Sequence, residues 1–279
     1  MFDAGNELHV ALAGLGVCAA LGALTWVASV WRHDVSLVDR VWSLLIAGAA
    51  IAYAVLLPAA ASAAGADARG LWMLALVVAW AMRLSVFITR RNWGHGEDRR
   101  YQQIRARNQP NFALKSLYLV FALQAVLAWI VAAPIFVALL AGAGMGATPP
   151  RPLGWLDALG FVISAFGLVF EAVGDTQMAI FKADPRHAGQ VMDRGLWRIT
   201  RHPNYFGEAC VWWGLWLMAL AGAGWGGAWS AISPLLMTFL LLKVSGVSLL
   251  EKDIGERRPA YRDYIARTPA FVPWWPRRK

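Results

Sequence analysis

Long apolar runs alternate with short polar segments along this chain of 279 residues. Seven runs approach or exceed the roughly 20 residues that an α-helix needs to cross a bilayer. Their approximate bounds are 8–31, 37–57, 70–90, 113–141, 153–181, 204–222 and 226–249. None shows the alternating ten-residue pattern of a membrane β-barrel. The pattern therefore predicts an all-α, polytopic membrane bundle of seven transmembrane helices.

The composition supports this class. Hydrophobic residues make up 58% of the chain and charged residues only 15%, whereas roughly a quarter of the residues in a soluble protein are charged. A single run such as 37–57 is also compatible with a buried helix of a soluble domain, but seven in succession favour a membrane protein. Because no internal repeat and no dividing segment are visible, residues 1–279 are interpreted as a single integral membrane domain.

The basic residues indicate the orientation. Arg69 is the only one between the second and third runs, and Arg151 is the only one between the fourth and fifth. Because basic residues concentrate on the cytosolic side of a membrane protein, the N-terminus is predicted outside and the C-terminus in the cytosol. This rule and anionic lipid also explain the formal net charge of +9, so no nucleic-acid partner is expected.

Three of the predicted cytosolic segments, 90–112, 182–205 and 250–279, carry more arginine, aromatic and amide side chains than topology requires. Together they would suit a cofactor with a pyrophosphate group. No nucleotide-binding motif of soluble enzymes is present. The HGED sequence at 95–98 is only a weak metal-binding signal on a loop, and no metal is expected.

Ionisable side chains within the runs are the main functional candidates, because each costs on the order of 3 kcal/mol near the bilayer centre. They are Asp39, Arg83, Glu171, Asp175, Glu208 and Lys243, with Glu251 just beyond the last run. All are expected near the cytosolic ends of their helices. We therefore expect them to converge on one layer of the bundle.

Two pairs of polar residues are spaced four apart, so the members of each pair share a helix face. Glu171 and Asp175 would suit either a ligand with several hydrogen-bond donors or a structural pairing with Arg or Lys. Asn204 and Glu208 follow Pro203, and a helix start explains Pro203 but not the glutamate one turn deeper.

Asp39 and Arg83 each allow two interpretations. Asp39 lies three residues after Ser36 in a capping-box-like helix start, so capping and function are both open. Arg83 is too deep in its apolar run for its guanidinium group to reach the membrane–water interface easily. Its expected anionic partner is either Asp39 or a phosphate.

The segment RHPNYFGE (201–208), with EAVGDTQMAIFK before it and YRDYIARTPAFVPWWP after it, resembles the steroid 5-alpha-reductase family, specifically its bacterial branch. The resemblance implies a seven-helix bundle of the bacterial inner membrane that binds NADPH in a cavity open to the cytosol, mainly through 165–279 and loop 90–112. It implies reduction of the 4,5 double bond of a 3-oxo-4-ene steroid or a similar lipophilic enone. The expected partners are this substrate and membrane lipid, with no obligate protein partner.

Only some of the functional residues of the family are matched in this sequence. The pattern Asn-Tyr-x-Gly-Glu falls on Asn204, Tyr205, Gly207 and Glu208, which implies contact with the nicotinamide half of the cofactor. Glu171 stands where the family has asparagine. The residues assigned to NADPH, from the resemblance or from their charge, are Arg83, Arg91, Asn92, Arg99, Glu171, Asp175, Lys182, Arg201, His202, Asn204, Tyr205, Glu208, Lys243, Glu251, Tyr261 and Tyr264.

The mechanism that the resemblance implies is conjugate reduction, in which negative charge builds up on the carbonyl oxygen and a hydrogen-bond donor stabilises it. A protonated Asp39, with Arg83 and the Trp80 indole, is assigned to this oxygen. Trp80 stands where animal enzymes have a carbonyl-binding tyrosine. The α-carbon proton is expected from water or a tyrosine, and Tyr53 is one candidate.

Two other functions stay open. Membrane methyltransferases that act on isoprenylcysteine or phospholipids with S-adenosylmethionine have an RHPxYxG-like segment and a similar tail, but they would leave the arginine-rich loop 90–112 without an obvious partner. A transporter would use the carboxylates as a proton relay and would show inverted repeats, which this sequence does not. The choice between NADPH and S-adenosylmethionine separates reductase from methyltransferase.

Overall fold

The computed structural model describes residues 4–57, 66–145, 151–244, 247, 251, 254–257 and 259–276. Every regular element in these ranges is helical, so the all-α prediction is confirmed for this part of the chain. The chain divides into two compact units: Met1–Ala158 with Leu217–Ser233 (unit 1), and Leu159–Trp216 with Pro234–Lys279 (unit 2). The two units are described separately, and the single-domain interpretation stays a prediction.

The α-helices in the described ranges are α1 (Ala4–Arg32), α2 (Leu37–Leu56), α3 (Ala66–Arg91), α4 (Arg99–Arg107), α5 (Phe112–Ser116), α6 (Leu123–Val131), α7 (Ala133–Gly142), α8 (Trp155–Ala183), α9 (Pro203–Ala223), α10 (Ile232–Phe239) and α11 (Ala260–Arg267). The π-helical segments Leu117–Ala122 and Leu240–Val244 follow α5 and α10. Shorter helical turns are Pro185–His187, Gly195–Arg198, Gly224–Ala231 and Ile254–Arg257.

Six helical stretches among the described residues are long and apolar enough to cross a membrane. They are Asn6–Arg32, Leu37–Leu56, Ala68–Arg91, Phe112–Val131, Trp155–Ala183 and Pro203–Val244. Large apolar side chains on them point away from the protein, for example Leu24 (68% exposed) and Val55 (73% exposed). Such surfaces are stable in lipid rather than in water. These helices are those of an integral membrane protein.

Exposed tryptophans mark both ends of α3. Trp72 lies near its start and Trp93 lies just after its end, with exposed fractions of 40% and 71%. At 1.5 Å per residue, the roughly 21 residues between them span ~32 Å, close to the ~30 Å of a bilayer's hydrocarbon core. Since tryptophan prefers the membrane–water interface, the spacing supports a membrane-crossing α3.

The predicted fourth span, 113–141, is not one uninterrupted helix. The stretch Phe112–Val131 can cross a membrane, but the helix is interrupted at Ala132 and resumes as α7, which has Pro134 in its first turn. Proline lacks an N–H group and clashes with the turn before it. That part of the prediction was therefore wrong, and the proline explains why.

The predicted sixth and seventh spans, 204–222 and 226–249, fall mostly within the 42-residue stretch Pro203–Val244. This stretch is not one straight helix, because Gly224 has a φ of +62° and 3₁₀ turns separate α9 from α10. Most of 245–249 lies outside the described residues. The count of seven spans and their orientation therefore stay predictions.

Close helix contacts in each unit depend on glycine. In unit 1, a Cβ atom on Gly14 of α1 would overlap the buried ring of Tyr53 of α2. In unit 2, a Cβ atom on Gly207 of α9 would lie 2.6 Å from both the Glu171 nitrogen and the Gly167 oxygen of α8. Helices α8 and α9 therefore touch backbone to backbone, as small residues allow in membranes.

A buried ion pair joins α3 to α8 within unit 1. Arg69 Nε donates to Asp157 Oδ1 at 2.6 Å and Arg69 Nη2 donates to Asp157 Oδ2 at 2.9 Å, and both residues are 1% exposed. Arg69 Nη1 also donates to the Arg151 carbonyl oxygen at 3.1 Å. The two basic residues of the predicted outer loops therefore lie together, although the sequence analysis gave neither a role.

Candidate functional site

In unit 2, the contact between α8 and α9 positions four predicted site residues. Glu171 lies against Gly207, and a Cβ atom on Gly174 would lie 3.3 Å from the backbone nitrogen of Asn204. Three of the four are acids, Glu171, Asp175 and Glu208, and they are buried, with exposed fractions of 1%, 5% and 7%. We call Glu171, Asp175, Asn204 and Glu208 the polar layer of unit 2. The convergence predicted for the wider set of ionisable residues stays a prediction.

Asn204 provides the clearest sign of a binding function in this layer. Its Oδ1 atom is buried and has no hydrogen-bond partner among the described residues. Leaving a buried acceptor unsatisfied costs roughly 1–3 kcal/mol, so such atoms are rare without a ligand or water to satisfy them. An N–H or O–H donor of a bound molecule would satisfy it.

Arg201, His202 and Glu251 form a charged cluster just before α9. Arg201 donates two hydrogen bonds to the Glu251 carboxylate, from Nε at 2.7 Å and from Nη2 at 2.8 Å. His202 Nε2 lies 2.9 Å from Glu251 Oε1, and its ring stacks on Tyr205. Burial alone would raise the pKa of Glu251, but hydrogen bonds from His202 and Arg201 outweigh it and lower that pKa to about 2.

The C-terminal tail is bonded to the segment that precedes α9. The Arg201 backbone N–H donates to the Pro269 oxygen at 2.9 Å, and Arg201 Nη1 donates to the Ile265 and Thr268 oxygens. The Tyr264 hydroxyl donates to the Trp197 carbonyl oxygen. Arg201 and Tyr264 therefore hold the tail in place, and their assignment to NADPH stays a prediction.

In unit 1, Asp39 has two partners that the sequence analysis did not identify. Arg100 Nη2 donates to Asp39 Oδ2 at 2.8 Å, and the Tyr101 hydroxyl donates to Asp39 Oδ1 at 2.6 Å. Both partners belong to α4, some 60 residues away along the chain. Their only sequence signal was the arginine and aromatic content of loop 90–112. No side-chain capping bond from Ser36 is formed, so the capping-box interpretation was wrong.

Helix α4 is fastened to the turn between α1 and α2. Glu97, just before α4, accepts hydrogen bonds from the Val35 backbone N–H at 2.9 Å and from Arg105 Nη2 at 2.7 Å. Burial raises the pKa of Tyr101, and the neighbouring Asp39 carboxylate raises it further, so the hydroxyl keeps its proton at neutral pH. A role for Asp39 as a donor to a substrate carbonyl would require its carboxyl group to be protonated, because an ionised carboxylate can only accept hydrogen bonds.

The remaining predicted residues of unit 1 lie in the second half of α3 or between α3 and the start of α4. Trp80 is fully buried. The guanidinium groups of Arg83 and Arg91 lie 5.5 and 5.8 Å from the centre of the Phe87 ring. Arg91 Nε donates to Asn92 Oδ1 at 3.1 Å.

Four of the side chains predicted to bind NADPH are exposed: Arg91, Arg99, Lys182 and Lys243. Tyr261 is half-buried.

Tyr53 lies far from Asp39, and the two acids of the HGED segment are paired with arginines. Tyr53 is 14 residues from Asp39 on the same helix, a separation of ~21 Å, so it cannot act on a substrate held at Asp39. Glu97 and Asp98 are engaged by Arg105 and Arg100. Among the described residues, no group of three or more His, Cys, Asp or Glu side chains is arranged to hold a metal ion.

Replacing Tyr101 with phenylalanine is expected to lower the free energy of unfolding by about 2 kcal/mol, because a buried hydrogen bond to a carboxylate is lost. It should also speed amide hydrogen exchange in 97–107. Tyr118, which is 60% exposed, provides the matched control, and Tyr118→Phe should change neither quantity. Equal exchange rates in the two variants would show that Tyr101 does not fasten α4.

Comparison with known proteins identifies a family and two relatives. Uncharacterized protein C594.04c of Schizosaccharomyces pombe is 26% identical over 287 residues, covering 93% of this chain and 78% of that protein. The probable O-methyltransferase ustE of Ustilaginoidea virens is 44% identical over 48 residues, which is 17% of each chain. No solved structure matches at a significant level. A family model matches residues 25–268, and the chain therefore belongs to the family described as protein of unknown function (DUF1295).

Proposed function

We propose that this protein is an NADPH-dependent membrane reductase that reduces the carbon–carbon double bond of a lipophilic enone, such as a 3-oxo-4-ene steroid. The observation that carries the proposal is the buried polar layer of unit 2, in which Asn204 Oδ1 has no hydrogen-bond partner in the described part of the chain and lies on the same helix as the buried Glu208. The resemblance of RHPNYFGE and its flanking segments to steroid 5-alpha-reductases supports the choice of reaction.

The layer fits the donor-rich part of a dinucleotide. Asn204 Oδ1 would accept a hydrogen bond from a carboxamide N–H or a ribose hydroxyl. Glu171, Asp175 and Glu208 can likewise only accept hydrogen bonds when ionised, so they suit hydroxyl and amide groups rather than phosphates. We assign the phosphates to exposed basic side chains, with Arg91, Arg99 and Lys182 as the choices made from the sequence.

NADPH supplies the hydride when it is bound. The contribution of the chain is to hold the cofactor and to stabilise the charge that develops on the substrate carbonyl oxygen. Asp39, Trp80 and Arg83 keep this second assignment as a proposal. Tyr101 and Arg100 of α4 fix the position of the Asp39 carboxyl group. If Asp39 acts on the substrate carbonyl, these two residues position it.

The proposal includes seven spans in a bacterial inner membrane, with the N-terminus outside and the binding layer facing the cytosol. This topology requires successive loops to lie on opposite sides of the membrane, and two observations support that arrangement. The arginine content is concentrated in alternate loops, and Arg69 and Arg151, from two different predicted outer loops, lie in contact.

A methyltransferase that uses S-adenosylmethionine is the second candidate. The 48-residue match to a probable O-methyltransferase favours it, and the ribose of that cofactor would also satisfy Asn204. S-adenosylmethionine carries no phosphate, however, so the exposed basic side chains would have no counterpart in the ligand.

The deciding experiment is calorimetric titration of the detergent-purified protein with NADPH, NADH and S-adenosylmethionine. We expect NADPH to bind most tightly, and we expect Asn204→Ala and Glu208→Gln each to weaken it by about tenfold, equivalent to ~1.4 kcal/mol. Asn6→Ala, at an exposed position of α1, is the matched control and should bind as the parent does. Preferential binding of S-adenosylmethionine would replace the reductase proposal with the methyltransferase.

A further inference from the structure

The indole N–H of Trp42 has no acceptor among the described residues. Trp42 lies in the second turn of α2 and is partly buried, and its Nε1 atom is buried without a hydrogen-bond partner. Other tryptophans of the chain do place this hydrogen: Trp129 Nε1 donates to the Ala11 oxygen at 2.8 Å, and Trp197 Nε1 donates to the Gly174 oxygen at 2.9 Å. Since a buried donor is rarely left unsatisfied, Trp42 indicates an acceptor supplied by another molecule.

Trp42 lies close to Asp39 on α2. Residues three apart are neighbours on one helix face, and long helical side chains lean toward the N-terminal end of their helix, so the indole leans toward the turn that carries Asp39. Both carboxylate oxygens of Asp39 are engaged, by Tyr101 and by Arg100. An ion-paired carboxylate only accepts hydrogen bonds, whereas an indole N–H only donates them. The donor on this face of α2 is therefore Trp42.

The surroundings restrict what the acceptor can be. Val38, one turn before Trp42, belongs to a buried apolar cluster with Phe112 and Phe121. Apolar surroundings favour a lipophilic molecule, because a sugar or another polar group would lose its hydration there. An anionic oxygen would be repelled by the Asp39 carboxylate. A neutral oxygen on a lipophilic molecule, such as a ketone, meets both conditions.

We propose that Trp42 Nε1 donates a hydrogen bond to the carbonyl oxygen of the lipophilic enone, which makes Trp42 a substrate-binding residue of unit 1. The identity of the ligand rests on the proposed reductase function. As negative charge builds up on the carbonyl oxygen during the reduction, the same N–H would stabilise it. This donor requires no protonated carboxyl group.

The test is calorimetric titration of the detergent-purified protein with testosterone, a 3-oxo-4-ene steroid, and with its analogue that lacks the 3-oxygen. Each titration is made with and without NADP⁺, which cannot reduce the steroid. We expect the parent to bind testosterone about tenfold more tightly than the analogue. Trp42→Phe removes the N–H and keeps an aromatic ring, so it should bind the two steroids alike.

Two further variants make the result specific. Trp42→His should keep the preference for testosterone, because the imidazole Nε2–H can occupy the place of the indole N–H. Trp129→Phe is the matched control, since it makes the same truncation at another partly buried tryptophan whose N–H is bonded to the backbone, and it should also keep the preference. Comparing two steroids on each variant cancels any general loss of stability.

The proposal is overturned if the parent binds the two steroids alike, or if the preference persists in Trp42→Phe. Should Trp42→Phe not fold, infrared spectra of testosterone bound to the parent decide instead: a donated hydrogen bond lowers the carbonyl stretching frequency below its value in hexane, and an unshifted frequency overturns the proposal. A preference that depends on Trp42 without any binding of NADPH would refute the reductase and leave this site standing. Binding of NADPH without such a preference would refute only the role of Trp42.

Discussion

Replacing Asp157 with asparagine is expected to lower the free energy of unfolding by about 3–5 kcal/mol, because it leaves the Arg69 guanidinium buried without its counter-charge. Both side chains are 1% exposed, and Asp157 also accepts a hydrogen bond from the Gly154 N–H at 2.9 Å. The Gly222 position of α9 lies against the same guanidinium. Loss of the pair would therefore loosen the contacts of α3, α8 and the end of α9 within unit 1. Denaturation of the purified protein in detergent measures the change.

The matched control is Asp193→Asn, the same chemical change in an exposed pair. Asp193 pairs with Arg267, and the two side chains are 36% and 42% exposed, so this substitution should cost less than about 1 kcal/mol. The double variant Arg69→Met with Asp157→Leu should recover much of the loss, since no buried charge is left. If Asp157→Asn costs no more than Asp193→Asn, the buried pair does not stabilise the fold.

Replacing Glu251 with glutamine is expected to cost about 3 kcal/mol at pH 7, the free-energy equivalent of lowering its pKa from 4.5 to about 2. Glutamine cannot supply the charge that Arg201 and His202 contact. The segment before α9 and the tail should then separate more readily. Thermal or chemical denaturation of the two proteins side by side measures the cost.

The pH dependence of this cost has a defined sign. Because folding lowers the pKa of Glu251, its contribution is present in full above the unfolded value of 4.5 and is lost as the pH falls toward about 2. The difference in stability between the parent and Glu251→Gln should therefore shrink by roughly 2 kcal/mol between pH 7 and pH 3. Glu256→Gln, at an exposed position nearby, should show no such difference. A cost for Glu251→Gln that is independent of pH over this range would contradict the ionic account.

Much of the helical architecture could be predicted from apolar run length alone. The spans predicted at 8–31, 37–57, 70–90 and 153–181 coincide closely with candidate membrane helices of the structure. The interruption at Ala132 was missed because the run around Pro134 is uniformly apolar, although the proline itself was a visible signal. The end of α9 lies close to the predicted end of the sixth span, just before Gly224, where glycine is the residue that tolerates a positive φ. The start of α10 at Ile232 lies six residues after the predicted start of the seventh span.

The candidate site could be predicted only where its residues are near one another in sequence. The spacing of Glu171 and Asp175, and of Asn204 and Glu208, places each pair on a helix face without knowledge of the fold. Spacing does not say which face of α8 meets which face of α9. That depended on the glycine contacts at Gly167, Gly174 and Gly207, which allow the two backbones to touch.

The sequence by itself determined the class of protein and the position of most candidate membrane helices, because the thickness of a bilayer sets the length of an apolar helix and excludes charge from it. The tertiary structure decided the partners of the charged residues. Asp39 pairs with Arg100 across 61 positions, Arg201 with Glu251 across 50 and Arg69 with Asp157 across 88. A charge within or beside a membrane must find a counter-charge, but any of several helices can supply it. Only the packing of the helices selects which one does.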